Sequence, residues 1–154
     1  MAFLNSDQMT SLLAAPPKRV QPNDLIGRVR IARWSFTVPA GGVPINDVIR
    51  LTKIPKGARI VGGREFHSAM STGAGAATVE IGTYADDGVD TLLDVDAFLA
   101  ATSVDAAGQT DIANTLVLGA LDQLAQDVIV GAKATVEAWA AAGNFEGYLL
   151  YVTD

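Results

Sequence analysis

The sequence contains no cysteine, which excludes disulfide frameworks, thiolate metal sites and cysteine nucleophiles. It contains one histidine, His67, so a two-histidine metal centre is excluded and little is left for acid/base catalysis near neutral pH. Aromatic residues are only 6% of the chain, a thin supply for a sugar cleft or a base-stacking platform. No run of about 18 apolar residues exists, so no membrane-spanning helix is expected. The first residues show no basic region leading into an apolar stretch and a cleavage site, and no secretory signal is expected.

What is present is enough for one domain with a proper core. The chain has 154 residues, 49% apolar and 18% charged, the balance of a folded globular chain rather than a disordered one. The net charge of −6 hides a strong polarity. Through residue 64 there are ten cations (Lys18, Arg19, Arg28, Arg30, Arg33, Arg50, Lys53, Lys56, Arg59, Arg64) against three aspartates, a surplus of +7. Beyond it Lys133 stands against fourteen acids, a deficit of −13. Such segregation points to a charged partner or to head-to-tail association. Direct nucleic-acid binding is not expected. The arginines are spaced within strand-like segments, no helix-turn-helix or zinc motif surrounds them, and only Trp34, Phe36 and Phe66 lie near them for stacking.

Residues 1–27 differ from the rest. Phe3, Leu4, Met9, Leu12 and Leu13 are apolar anchors, while Pro16, Pro17 and Pro22 forbid a continuous helix and favour an extended path. The expectation is an extended N-terminal arm laid on another subunit, followed by a domain over residues 28–154. From Arg28 the apolar period becomes two. Val29, Ile31, Trp34, Phe36 and Val38 predict a strand, with a switch of face at Ala32-Arg33. Ile45 to Ile54 is a second strand, and Ile54-Pro55-Lys56-Gly57 reads as a turn. Ala58 to Met70 is a third strand, with Gly62-Gly63 marking a bulge. Thr78 to Thr83 alternates cleanly. Residues 84–108 look least strand-like, and Ala97-Phe98-Leu99-Ala100-Ala101 suggests a helical turn or two. A strand is expected near 109–118, and Leu116 to Val128 suits either strand or helix. Asp127 to Trp139 is one strand bent at Gly131 or two strands. Phe145 to Val152 closes the chain, with Tyr148, Leu150 and Val152 on one face. Seven or eight short strands without βαβ alternation predict an all-β, two-sheet antiparallel β-sandwich.

Chemistry is sparse. Glu65 and His67 share one face of their strand, Phe66 and Ser68 the other, and no Gly-x-Ser-x-Gly elbow supplies a nucleophile; His67 is expected to face solvent or an interface. Asp86, Asp87, Asp90, Asp94 and Asp96 offer oxygen ligands, but the spacing of a calcium loop is missing, which favours a solvated acidic loop that meets a basic neighbour. Gly73 and Gly75 lack the Gly-Lys-Ser/Thr that a phosphate loop needs. Trp34, Trp139 and Tyr151 read as core or subunit-contact residues. No catalytic residue, metal or cofactor is expected.

Four stretches carry a resemblance. Leu51-Thr52-Lys53-Ile54-Pro55-Lys56-Gly57-Ala58-Arg59-Ile60-Val61-Gly62-Gly63 resembles a turn found in small head proteins of tailed bacteriophages. The acidic loop Asp87-Gly88-Val89-Asp90 with Phe98-Leu99-Ala100-Ala101-Thr102, and the terminal strand Gly147 to Val152, also fit; the likeness covers about residues 28–154. It implies a jelly-roll head decoration, or cement, protein: a non-enzymatic virion component of about eight strands, bridging neighbouring major capsid subunits from the outer surface of the capsid. Homo-oligomers (dimer or trimer), assembly in the host cytoplasm and no membrane partner follow as expectations, and the lack of cysteine suits a reducing compartment. A mean hydropathy of +0.27 fits buried oligomer surface. The partner-binding residues expected are the arm's Phe3, Leu4, Met9, Leu12 and Leu13 with Arg28, Arg30, Arg33, Arg50, Lys53 and Arg64. The alternative is another non-enzymatic phage surface module: a head fibre base, a tail component or a glycan- or receptor-binding sandwich.

Overall fold

The computed structural model describes residues 28–71, 76–87, 89, 91–112, 123–139 and 143–153. The expected arm, with Phe3, Leu4, Met9, Leu12 and Leu13, lies outside the described residues, as do Gly73, Gly75, Gly88, Asp90 and residues 113–122, which take in most of the ambiguous Leu116 to Val128 stretch.

Eight strands are described: β1 (Val29–Thr37), β2 (Val48–Ile54), β3 (Arg59–His67), β4 (Thr78–Ala85), β5 (Leu92–Ser103), β6 (Gly108–Asp111), β7 (Val128–Ala134) and β8 (Asn144–Val152). They form two four-stranded sheets, ordered β1-β8-β3-β6 and β2-β7-β4-β5, and every ladder is antiparallel. The pairs β1–β8, β2–β7, β3–β6 and β4–β5 are the successive rungs of one long hairpin whose tip is the β4–β5 loop. Rolling that hairpin adds the β3–β8 and β4–β7 ladders and gives the jelly roll. The fold is therefore the all-β sandwich that the alternation predicts.

The core lies between the sheets. Ala32, Trp34 and Val38 enter it from β1 and its end, Phe145 and Leu149 from β8, Val79 and Ile81 from β4, and Val128, Val130, Ala132 and Ala134 from β7. Trp139 is fully buried, with its ring centroid 5.4 Å from that of Phe145, and Tyr151 packs on the cluster from its edge. Trp34 and Trp139 are thus core residues, as their composition class suggests.

Three local expectations are corrected. β1 does not change face at Ala32-Arg33: its register with β8 is unbroken. Ala32 and Trp34 point inward throughout, and Val29 and Ile31 lie on the outer surface. Ala97 to Ala101 is not helical but part of β5, at 12 residues the longest described strand. Its apolar run loses the period of two because β5 bulges. Ile81 pairs with Leu99 and Thr83 with Asp94, so one residue, Gly82, faces four, Val95 to Phe98. β7 is one strand continuous through Gly131, opposite the point where the β2 register shifts between Arg50 and Thr52. Thr135 to Trp139 follow outside it, held by the Val43–Trp139 bridge and by the Thr135 amide and Trp139 Nε1 donating to the Thr78 carbonyl. The glycine pair in β3 does mark a bulge, where the register with β8 shifts between Ile60 and Gly62.

Candidate functional site

The inner face of the first sheet holds its one buried ionisable pair among the described residues. Register places Trp34, Gly147 and Glu65 in a row across β1, β8 and β3. A Cβ on residue 147 would lie 2.4 Å from Trp34 Cζ2 and 2.6 Å from the Arg64 carbonyl oxygen. Glycine there is what lets the indole cover the strand. Glu65 is fully buried and its Oε2 lies 2.9 Å from Nδ1 of His67, itself almost wholly enclosed. The expectation of a solvent- or interface-facing histidine is therefore overturned. Both residues sit on the inward face of β3, where an unpaired acid or imidazole would be costly, and each gives the other its partner. Glu65 Oε1 and Trp34 Nε1 are buried with no hydrogen-bond partner among the described residues. The one serine beside the pair, Ser68, instead accepts a hydrogen bond from the Asn144 amide. Little of the pair reaches solvent.

The predicted basic residues do not converge. Arg33 and Arg64 stand on the outer face of the first sheet, in the row Arg33–Tyr148–Arg64–Asp111. Arg64 Nε donates to Asp111 Oδ1 at 2.6 Å, which holds the guanidinium pKa above its ordinary value. Arg28 and Arg30 are exposed where β1 begins. Arg50 and Lys53 belong to β2 in the other sheet. Lys53 Nζ is bound by Asp86 and lies 3.0 Å from Asp127 Oδ2. Hydrogen bonds to Asp86 and then Asp127 raise its pKa above the ordinary 10.5. Asp127 also accepts from the Lys56 amide at 2.8 Å. That bond first, and Lys53 next, hold its carboxyl below the usual carboxylate range.

Two apolar strips emerge that charge counting alone misses. On the outer face of the first sheet, register aligns Val29 with Val152 and Ile31 with Leu150. Val29 is 58% and Ile31 47% exposed, with Val61 in the β3 bulge exposed as well. Tyr148 and Phe66 extend the strip, their ring centroids 6.5 Å apart, and Arg33 borders it. The second strip lies at the hairpin tip, where Val89 is 79%, Leu92 51% and Leu93 46% exposed among Asp86, Asp87, Asp94 and Asp96. Asp87 shapes this loop: it accepts from the Thr91 hydroxyl and from the Val89 and Thr91 amides. The Thr91 hydroxyl chiefly, with those amides, holds the Asp87 carboxyl below the usual range. The signal for the first strip is in the sequence: β8 is apolar on both faces, with Phe145 and Leu149 inward and Tyr148, Leu150 and Val152 outward. A strand with two apolar faces expects cover on both. Among the described residues no three histidine, aspartate or glutamate side chains gather as a metal site.

No protein-family model and no curated protein matches the sequence. Solved structures do match. The chain is similar to one in the capsid of Ralstonia phage GP4, with a TM-score of 0.70 and 21% identity over 85% of this chain and 88% of that one. A chain of the cyanophage Pam1 capsid asymmetric unit gives 0.62 and 17% over 92% and 96%. A chain of the acid-stable capsid of Helicobacter pylori bacteriophage KHP30 gives 0.57 and 15% over 82% and 90%. The jelly roll of this protein is thus a fold found, nearly end to end, in chains of three phage capsids.

Proposed function

We propose that the protein is a structural, non-enzymatic component of a bacteriophage virion. In this reading it decorates the outer surface of the capsid and cements it by bridging neighbouring major capsid subunits, after assembly in the host cytoplasm. The observation that carries the reading is the extent of the structural likeness: the matched region is nearly the whole of each phage-capsid chain, not a shared fragment. The chemistry agrees with it. The one buried ionisable pair among the described residues is almost wholly enclosed, and Arg28, Arg30 and Arg33 stand exposed as basic contacts fit for docking.

Arm residues Phe3, Leu4, Met9, Leu12 and Leu13, with Arg28 and Arg30 where the arm meets β1, are the contacts proposed toward the major capsid protein. Arg33, Arg50, Lys53 and Arg64 complete the proposed set. A homo-oligomer would present several arms at once, and multivalency of that kind turns weak single contacts into firm attachment. The test is to mix purified protein with phage heads assembled without it and to measure bound copies by sedimentation. Saturable binding that weakens with salt is expected, and removal of residues 1–20 abolishes it. A protein that ignores heads at every salt concentration refutes the reading.

A further inference from the structure

The two exposed apolar strips carry opposite charge and lie at opposite sides of one end of the sandwich. We infer that they dock on each other between copies of this chain, the strip on the outer face of the first sheet receiving the acidic hairpin tip of the next copy in a head-to-tail ring.

The placement follows from register. Val29 and Arg59 both pair with Val152, and the β2–β3 turn joins Arg59 to Ile54. Ile54 and Ala85 both pair with Val128, and the tip follows Ala85. The strip of Val29 and Ile31 and the tip residues Asp86, Asp87, Val89, Leu92 and Leu93 therefore sit at the same end of the molecule. They are on opposite sides of it, because β1 neighbours β2 across the sandwich while β5 is the far edge of the β2-β7-β4-β5 sheet. A rotation that carries one copy onto the next about an axis keeps each feature at its own height. Two complementary patches at one height give a ring where the rotation between copies closes, whereas patches at different heights climb into a filament.

Charge selects the partner. Arg33 stands beside Ile31 and Leu150 on the receiving strip. The tip offers Asp87 and Asp94 beside Val89, Leu92 and Leu93, and Lys53 is held by Asp86 and Asp127. Docking either strip on its own counterpart would oppose like charges; docking one on the other pairs them while removing both apolar surfaces from water. The inference stands on these exposures and charges and does not rest on what the assembled protein binds.

Size-exclusion chromatography with light scattering on the full chain provides the test. The wild type is expected to run as a defined oligomer of the 16.0 kDa chain, shifting toward monomer as salt rises. Ile31→Asp and Leu92→Asp, each at an exposed position, are each expected to give monomers. Mixed in equal amounts they are expected to give a species of twice the monomer mass, because one intact strip meets one intact tip and the remaining ends repel. Circular dichroism checks the folding of both variants, and Ile31→Ser with Leu92→Ser supply the same comparison should either aspartate prevent it. A wild type that stays monomeric, a Leu92 variant that keeps the wild-type mass, or a mixture that stays monomeric overturns the inference. Head binding is read separately. A ring that ignores heads refutes the decoration reading alone, and a monomer that binds heads refutes this one alone.

Discussion

Gly82→Ala probes the feature that most distorts the sheet. Gly82 has no left-handed φ, so alanine meets no backbone strain and only contact decides the outcome. A Cβ there would lie 2.2 Å from the Asp94 carbonyl oxygen, 2.4 Å from that of Val95 and 2.5 Å from the Val95 carbonyl carbon. All three are backbone atoms of the β5 bulge, so no side chain can swing aside and β5 itself must move. Overpacking of this kind costs roughly 1–3 kcal/mol, and with three backbone contacts the upper end applies. The gain from replacing glycine in a strand offsets about 0.5–1 kcal/mol, leaving a loss of about 2 kcal/mol. At roughly 2–4 °C per kcal/mol for a chain of this size, the melting temperature falls by about 4–8 °C. Thermal unfolding followed by circular dichroism measures it, and hydrogen exchange at β5 amides is expected to quicken. Gly41→Ala is the control. Nothing lies within 4 Å of its Cβ and its φ is not left-handed, so its melting temperature should hold or rise slightly. If Gly82→Ala melted within a degree of the wild type, the close passage of β5 over β4 would be refuted.

Further outcomes follow from the buried pair and the ion network. His67→Ala leaves the buried Glu65 side chain without its hydrogen-bond partner and is expected to cost about 1–3 kcal/mol. Glu65→Ala/His67→Ala together should cost less than the two single losses summed, and additive losses in urea melts would show the two to be uncoupled. Gly147→Ala is expected to displace the Trp34 ring, changing the near-ultraviolet circular dichroism; an unchanged spectrum would count against the row Trp34–Gly147–Glu65. Lys53→Met removes the cation that Asp86 and Asp127 share. The folded Lys53 pKa lies above 10.5, so its contribution is full below that value and is lost as pH rises through the folded pKa. The folded Asp127 pKa lies below 3.8, so its contribution is full above that value and is lost as pH falls through the folded pKa. The stability difference between wild type and Lys53→Met should therefore be flat from about pH 4 to 10 and shrink outside that window. A difference that grew in strong acid would contradict it.

The strands were legible because alternation survives wherever one face meets the core, as in Thr78 to Thr83. They were illegible where geometry breaks the period. The four residues facing Gly82 place Ala97, Phe98 and Leu99 all in buried positions, which on sequence resembles a helical turn. β1 misleads for another reason: Val29 and Ile31 are as apolar as Ala32 and Trp34 but face the opposite way, so hydropathy alone invents a change of face. For the site, the arginines announced a basic character. Their neutralisation did not, since Arg64 meets Asp111 and Lys53 meets Asp86 and Asp127 only through pairing of distant strands. Glu65 and His67 were visibly on one face, yet which face needed the sheet order, because a charged pair reads as exterior until its neighbours are known.

The pairing of β1 with β8 also sets a clock. Val29 aligns with Val152, and β8 lies between β1 and β3 in its sheet. During synthesis β1 and β3 emerge early and have no neighbour to join them until β8 leaves the ribosome. The outer surface on which Ile31 stands beside Leu150 is therefore made only when β8 joins β1, the first and last of the described strands. A nascent or truncated chain has no such surface to offer. An assembly that uses the composite surface therefore takes only chains in which β8 has joined β1.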